Sequence, residues 1–149
     1  MYYNYKGGVI VSQASEDFDK FLKQREEAST AFVNGDFDPL GQVSSEVSPA
    51  TIFGPKGDCV QDAKNVNAAN AKTAKLFKAS SKNAFEILHK GASDSLAYWV
   101  GIQRSVVQMD GQKEDIPMDL RITEIFRREN GLWKLFHRHA DTLKPDGSA

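Results

Sequence analysis

Two spacings of apolar residues divide the chain into a helical first half and a second half of strands. Apolar positions recur every three or four residues over 17–34 and 62–77, which predicts two amphipathic helices. A short helix is expected between them, from 36 to about 43, where Pro39 falls in the first turn. The apolar stripe of the first helix consists of Phe18, Phe21, Leu22, Arg25, Ala28, Phe32 and Val33.

From Lys82 onward the spacing changes to two, as in strands whose successive side chains point to opposite faces. The segment 95–109 is apolar on both faces, so its second face needs a cover, and a second subunit is the expected one. Helices followed by a run of antiparallel strands predict an α+β domain with its helices on one face of a curved sheet. The expected strands are 50–53, 59–61, 83–90, 95–109, 118–128 and 132–140.

The closing hairpin is the clearest local signal. Asn130-Gly131 separates two alternating runs, and this dipeptide favours a type I′ turn, in which both central residues have positive φ. The second run carries His137, Arg138 and His139. Strict alternation places both imidazoles on the face of Leu135 and the guanidinium on the other face, and a β-bulge would exchange them. A cavity on one face therefore receives either the histidines or the arginine.

The composition is that of an ordinary globular domain. The 149 residues are 40% hydrophobic and 26% charged with a net charge of −1, which favours neither a nucleic-acid nor a membrane partner. We expect one domain over 16–143, an N-terminal extension over 1–15 and a flexible tail over 144–149. The single cysteine, Cys59, excludes an internal disulfide and favours a reducing, cytoplasmic setting.

Several motifs together resemble one superfamily. Three helices, the FGPKG turn at 53–57 and the closing RITEIFRRENGLWK…HRH pattern at 121–139 resemble NTF2-like proteins, in particular the SnoaL-like or DUF4440 (ketosteroid-isomerase-like) branch. The closing pattern is also similar to the association domain of calmodulin-dependent kinase. The resemblance covers residues 16–143. It implies a cystatin-like cone of three N-terminal helices packed on a strongly curved antiparallel or mixed sheet, with a pocket under the helices and a homodimer through the convex face.

The three histidines are candidate general acids or bases, because imidazole titrates near neutral pH. His137 and His139 are equally well explained as hydrogen-bonded residues of a dimer interface. His89 is expected to share a face with Phe85 and Ile87, and such a lone histidine is more often a satisfied core residue. The spacing of the three does not specify a metal site, and we expect no metal and no cofactor.

Arginines are the candidate anion-binding residues. Arg104 continues an apolar strand face, where a guanidinium needs a partner, and its planar fork matches a carboxylate. The alternatives are an ion pair of Arg104 with Glu86 or Glu124 and a sheet-edge salt bridge for Arg121. Similarity to the kinase association domain implies that Arg138 points inward. The predicted ligand-binding residues are Tyr98, Trp99, Arg104, Arg121, Arg138, Phe32 and Phe53.

Two functions follow as hypotheses. The first is a small-molecule pocket whose ligand carries a carboxylic acid. The sequence does not decide whether this protein is an enzyme; if it is, proton-transfer chemistry (isomerase, dehydratase or cyclase) is favoured, since no G-x-G-x-x-G cofactor motif occurs. The second is a non-catalytic dimerisation or assembly module like the kinase association domain.

Overall fold

The computed structural model describes residues 3–6, 9–79 and 81–145, with the backbone alone for 3–6 and 9–11. Most of the expected flexible tail, residues 146–149, lies outside the described residues, as do residues 1, 2, 7 and 8 of the expected extension. None of the helices in the described part of the chain is both long and apolar enough to cross a membrane.

Three helices follow an N-terminal hairpin of β1 (Tyr3–Lys6) and β2 (Val9–Ser12). They are α1 (Gln13–Phe32), α2 (Asp38–Val43) and α3 (Ala63–Ala74). The first begins four residues before the expected start, because the Ser12 hydroxyl caps it by accepting a hydrogen bond from the Ser15 N–H at 3.1 Å. The third ends earlier than expected, since Phe77 leaves the helix and bridges to Met109.

A curled, mixed sheet lies under the helices, and it confirms the α+β class. The order of its strands is β4-β3-β9-β8-β6-β5, with β7 paired to β6. Only the contact between β3 and β9 is parallel among the described pairs. The strands are β3 (Thr51–Phe53), β4 (Cys59–Gln61), β5 (Lys82–Ala92), β6 (Leu96–Val107), β7 (Ile116–Pro117), β8 (Leu120–Glu129) and β9 (Leu132–Thr142).

The main core lies between α1 and the concave face of this sheet. Phe18 contacts Phe126 and Trp133 with ring centroids 5.3 and 5.7 Å apart, and Phe21 packs edge-on against Phe126 at 5.4 Å. Alternate residues of β6 and β8 are buried on this side. The hairpin between β8 and β9 turns as expected, with φ of +52° at Asn130 and +81° at Gly131.

A β-bulge in β9 reverses the expected faces of the closing triplet. Between Leu135 and His137 the pairing with β8 shifts by one residue, which leaves Phe136 without a partner. The expectation that the histidines share the face of Leu135 was therefore wrong. His137 and His139 lie on the convex face, and Arg138 lies on the concave face, under the helices.

A second β-bulge, in β5, changes the expected face of His89. The pairing of β5 with β6 shifts between Ile87 and His89, so that Leu88 is the extra residue. His89 does not share a face with Phe85, which stacks on Trp99 in the core; it lies on the convex face instead. There its Nδ1 is 3.1 Å from the hydroxyl of Tyr98.

Candidate functional site

A cavity of about 290 Å³ opens between the helices and the concave face of the sheet. The far end of α1, the turn between β3 and β4, the last turns of α3 and the inner residues of β6, β8 and β9 surround it. Most of its wall is apolar. The buried polar side chains of its wall include Arg25, Ser29 and Gln103, and Arg138 lies beside them with 16% of its side chain exposed.

Glu124 in the middle of β8 organises the polar part of this wall. Its carboxylate accepts hydrogen bonds from Arg25 Nε at 3.0 Å and Nη2 at 2.7 Å, from Arg138 Nη1 at 2.7 Å and from Trp99 Nε1 at 2.8 Å. Arg138 Nη2 donates to the Gln103 side-chain oxygen at 2.7 Å. One helix and three strands are thus linked by a single buried network.

The network holds more positive than negative charge. Burial alone would raise the pKa of Glu124, but the charges of Arg25 and Arg138 outweigh it and lower that pKa to about 2. Burial lowers the pKa of Arg138; the charge of Glu124 raises it, and that of Arg25 lowers it. At neutral pH Glu124 is ionised, so two guanidinium groups face one carboxylate.

One donor of this network has no partner. Arg25 lines the cavity with 2% of its surface exposed, and its Nη1 makes no hydrogen bond within the described part of the chain. A buried donor without an acceptor costs about 1–3 kcal/mol. An acceptor that fills the polar end of the cavity would remove this cost.

Three of the seven predicted ligand-binding residues line the cavity: Phe32, Phe53 and Arg138. Trp99 is fully buried beside it and donates to Glu124. The other three, Tyr98, Arg104 and Arg121, lie on the convex face, away from the cavity.

The two convex-face arginines are held in exposed ion pairs. Arg104 contacts Glu86 at 2.9 Å and Asp119 at 3.1 Å. Arg121 forms two hydrogen bonds with Asp141, at 2.6 and 2.7 Å. Hydrogen bonds to these carboxylates are the main reason that the pKa of each arginine is raised.

The convex-face histidines contact aromatic and hydroxyl groups. His137 Nδ1 lies 2.7 Å from Thr51 Oγ1, and the Phe53 ring packs edge-on against His137 and His139 with centroids 5.0 and 5.5 Å away. Burial and the charge of His139 lower the pKa of His137, against the opposite effects of Glu124 and Thr51. Within residues 3–6, 9–79 and 81–145, no group of three or more metal-ligating side chains comes together.

The sequence interpretation missed the pairing of Arg25 with Glu124. A signal for it was present, because Arg25 interrupts the apolar stripe of α1 and Glu124 alternates with Ile122 and Phe126 on a buried strand face. A buried charge of each sign predicts that the two meet. Gln103 carried no comparable signal, since its position on β6 is ordinary for an exposed residue as well.

Solved structures resemble this fold at low sequence identity. A proposed dehydratase of the NTF2-like family from Streptomyces avermitilis matches 88% of this chain and 99% of its own with a TM-score of 0.71 and 15% identity. An NTF2-like superfamily protein from Salmonella enterica matches 89% and 95%, with a TM-score of 0.74 and 9% identity. A proposed calcium/calmodulin-dependent protein kinase type II association domain from Thiobacillus denitrificans matches 87% and 94%, with a TM-score of 0.60 and 15% identity.

Sequence comparison adds nothing to this, because no protein-family model and no curated protein matches the chain. At such identities the likeness concerns the fold. The TM-scores of 0.60 to 0.74 show that this chain shares the fold of all three structures. The chain has the cystatin-like fold of the NTF2-like superfamily.

Proposed function

We propose that the protein binds a small organic acid in the cavity, with the carboxylate held by Arg138 and Arg25. The observation that carries this proposal is the excess positive charge of the Arg25–Glu124–Arg138 network beside a mainly apolar cavity. A buried charge without a counter-charge is costly, so an anion gains more here than at the surface.

The chemistry of the wall fits such a ligand. Guanidinium groups bind carboxylates through charge-assisted hydrogen bonds, which are about twice as strong as neutral ones. Phe32, Phe77 and Met118 supply apolar surface for the rest of the molecule. Pockets for small molecules combine a mainly apolar wall with a few placed polar groups, as this cavity does.

Binding is better supported than proton-transfer catalysis. Glu124 already accepts four hydrogen bonds and has a pKa of about 2, so it is a poor base. The three candidate histidines lie on the opposite face of the sheet. Among the described residues that line the cavity, the carboxylate is that of Asp58, which is exposed in the turn between β3 and β4.

Isothermal titration calorimetry with octanoate and, as a neutral counterpart, octanamide tests the proposal. We expect octanoate to bind and octanamide to bind at least tenfold more weakly. Arg138→Gln should weaken octanoate binding at least tenfold. The matched control is Arg104→Gln, which changes an arginine on the convex face and should leave the affinity unchanged. Equal binding of acid and amide, or equal effects of the two substitutions, would refute carboxylate binding at this site.

A second candidate function, self-association through the convex face, is supported by the apolar side chains of that face. Tyr98 and Leu88 are 38% and 62% exposed, and Val100 and Ile102 lie beside them, half-buried. We propose a homodimer that covers this surface. Ile102→Glu should convert it to a monomer in sedimentation-velocity runs, whereas Lys82→Glu, at the end of β5, should not. A wild-type protein that is monomeric at micromolar concentration would contradict the dimer.

We also propose a reducing, cytoplasmic setting for the protein. Cys59 is exposed and free, and exposed free thiols persist best where they are kept reduced. Fractionation of cells that carry a tagged copy would test the location, and recovery from an oxidising compartment would contradict it.

A further inference from the structure

The exposed fractions of the lining residues distinguish an inner part of the cavity wall from an outer part. Arg25 and Gln103 are each 2% exposed, and the side chain of their partner Arg138 is 16% exposed. At the other extreme, Leu76, two residues after α3, is 51% exposed. The guanidinium groups therefore belong to the inner part of the cavity, and the segment after α3 belongs to its rim.

Apolar side chains make up most of the rest of the cavity wall. Val33 is fully buried, Leu120 is 6% exposed and Phe77 is 9% exposed, while Phe32 and Met118 are half-buried. All five line the cavity. A molecule that reaches the arginines must pass along this apolar wall, which favours a chain or ring without polar groups.

The rim carries no excess charge. Lys56 and Asp58 stand two residues apart in the turn between β3 and β4, both exposed and both on the cavity wall, and their charges cancel. Pro55 and Leu76 add apolar surface to the rim. The inner network is different, because two arginines there face one carboxylate. The excess charge of the cavity is thus a single positive charge at its inner end.

From this gradient we infer that the ligand binds carboxylate-first and is a monocarboxylate with an unbranched or aryl-alkyl apolar tail that leads to the rim. The inference rests on the proposed function and specifies its ligand class. Because the rim is open and partly apolar, we expect acids whose tails extend beyond the rim to bind as well. A second carboxylate at the far end of the ligand finds no uncompensated positive charge there.

A chain-length series tests the inference. In calorimetry, affinity should rise about fourfold per methylene group from butanoate upward, as for apolar surface leaving water. It should level off once the tail reaches the rim, without a sharp loss at dodecanoate. Octanedioate should bind at least tenfold more weakly than octanoate, because its second carboxylate enters the apolar region or meets the neutral rim.

Substitutions at the rim and at the inner end of the cavity test the apolar tail and the carboxylate of the ligand separately. Leu76→Ser should weaken dodecanoate several-fold and leave butanoate unchanged, whereas Arg25→Lys should weaken both acids. The matched control for Leu76→Ser is Leu132→Ser, at an exposed leucine in the hairpin between β8 and β9. An environment-sensitive dye on Cys59, next to rim residue Asp58, should respond to dodecanoate and not to butanoate.

The outcomes distinguish the two proposals. If no carboxylate of any length binds, the proposed function fails. If acids bind through Arg138 but affinity does not depend on chain length, or falls sharply at the longer acids, the proposed function stands and the head-first orientation is refuted. Octanedioate binding as tightly as octanoate would refute the single-acid class in the same way.

Discussion

Arg25 on α1 and Glu124 on β8 are joined by two hydrogen bonds, of 3.0 and 2.7 Å, although 99 residues separate them along the chain. Both side chains are almost completely buried, at 2% and 0% exposure. The same carboxylate holds Arg138 at 2.7 Å. Glu124 therefore fixes the helix on the sheet and also sets the positions of the two guanidinium groups at the cavity.

Replacing Glu124 should be the most destabilising single change in this network. Glu124→Gln removes the negative charge and leaves Arg25 and Arg138 facing each other without compensation. Breaking a buried ion pair in this way costs about 3–5 kcal/mol. The free energy of unfolding from urea denaturation measures the loss.

An exposed ion pair provides the control for that experiment. Asp141→Asn breaks the two hydrogen bonds from Arg121 on the convex face, where both side chains are well exposed. Such surface pairs contribute little to stability, because water screens both charges. A loss for Glu124→Gln no larger than that for Asp141→Asn would contradict the central role of the buried network.

The low pKa of Glu124 predicts how the stability of the protein depends on pH. The pKa of Glu124 falls from its usual 4.5 to about 2 on folding, so the folded protein binds fewer protons than the unfolded chain between these values. The contribution is complete above about pH 4.5 and is lost as the pH falls towards 2. Its size is on the order of 3 kcal/mol. Urea denaturation at a series of acidic pH values should show the free energy of unfolding falling as the pH is lowered. Glu124→Gln should weaken this dependence on pH.

The bulge in β9 predicts that deleting Phe136 and replacing it by alanine have opposite effects on octanoate binding. Deleting Phe136 restores strict alternation, so that Arg138 turns away from the cavity, and both stability and octanoate binding should be lost. Phe136→Ala keeps the residue count, so octanoate binding should remain. It loses the packing of the ring against Ala50, Ala63 and Val66 and its contact with the Arg127 guanidinium, 4.6 Å from the ring centroid. The contact with Arg127 alone is worth about 0.5–2 kcal/mol. Octanoate affinity unchanged by the deletion would show that the bulge does not orient Arg138.

His137 should titrate below the ordinary histidine value of 6.5 in an NMR pH titration. Burial is the main cause, and the charge of His139 adds to it. His139→Asn should therefore raise the pKa of His137, since it removes a neighbouring positive charge. A lower pKa of His137 in the His139→Asn variant would contradict this cause.

The sequence indicates several residues of the candidate site, but it does not predict which of them contact one another. The last strand was expected to offer the cavity either two histidines or Arg138, and the charged residues Arg25 and Glu124 stand at positions that their neighbours mark as buried. What could not be predicted was which of these side chains meet. That depends on how α1 crosses the sheet, which is set by contacts between residues far apart in the chain.

Local patterning by itself determined the elements and their order. Spacings of three to four and of two separate the helices from the strands, and Asn130-Gly131 closes the last hairpin because both residues accept positive φ. Only the tertiary structure decided the faces of His89, His137 and Arg138. A β-bulge exists only relative to a partner strand, so a shift in pairing of one residue, invisible in the sequence, moved the histidines to the convex face and the arginine to the cavity.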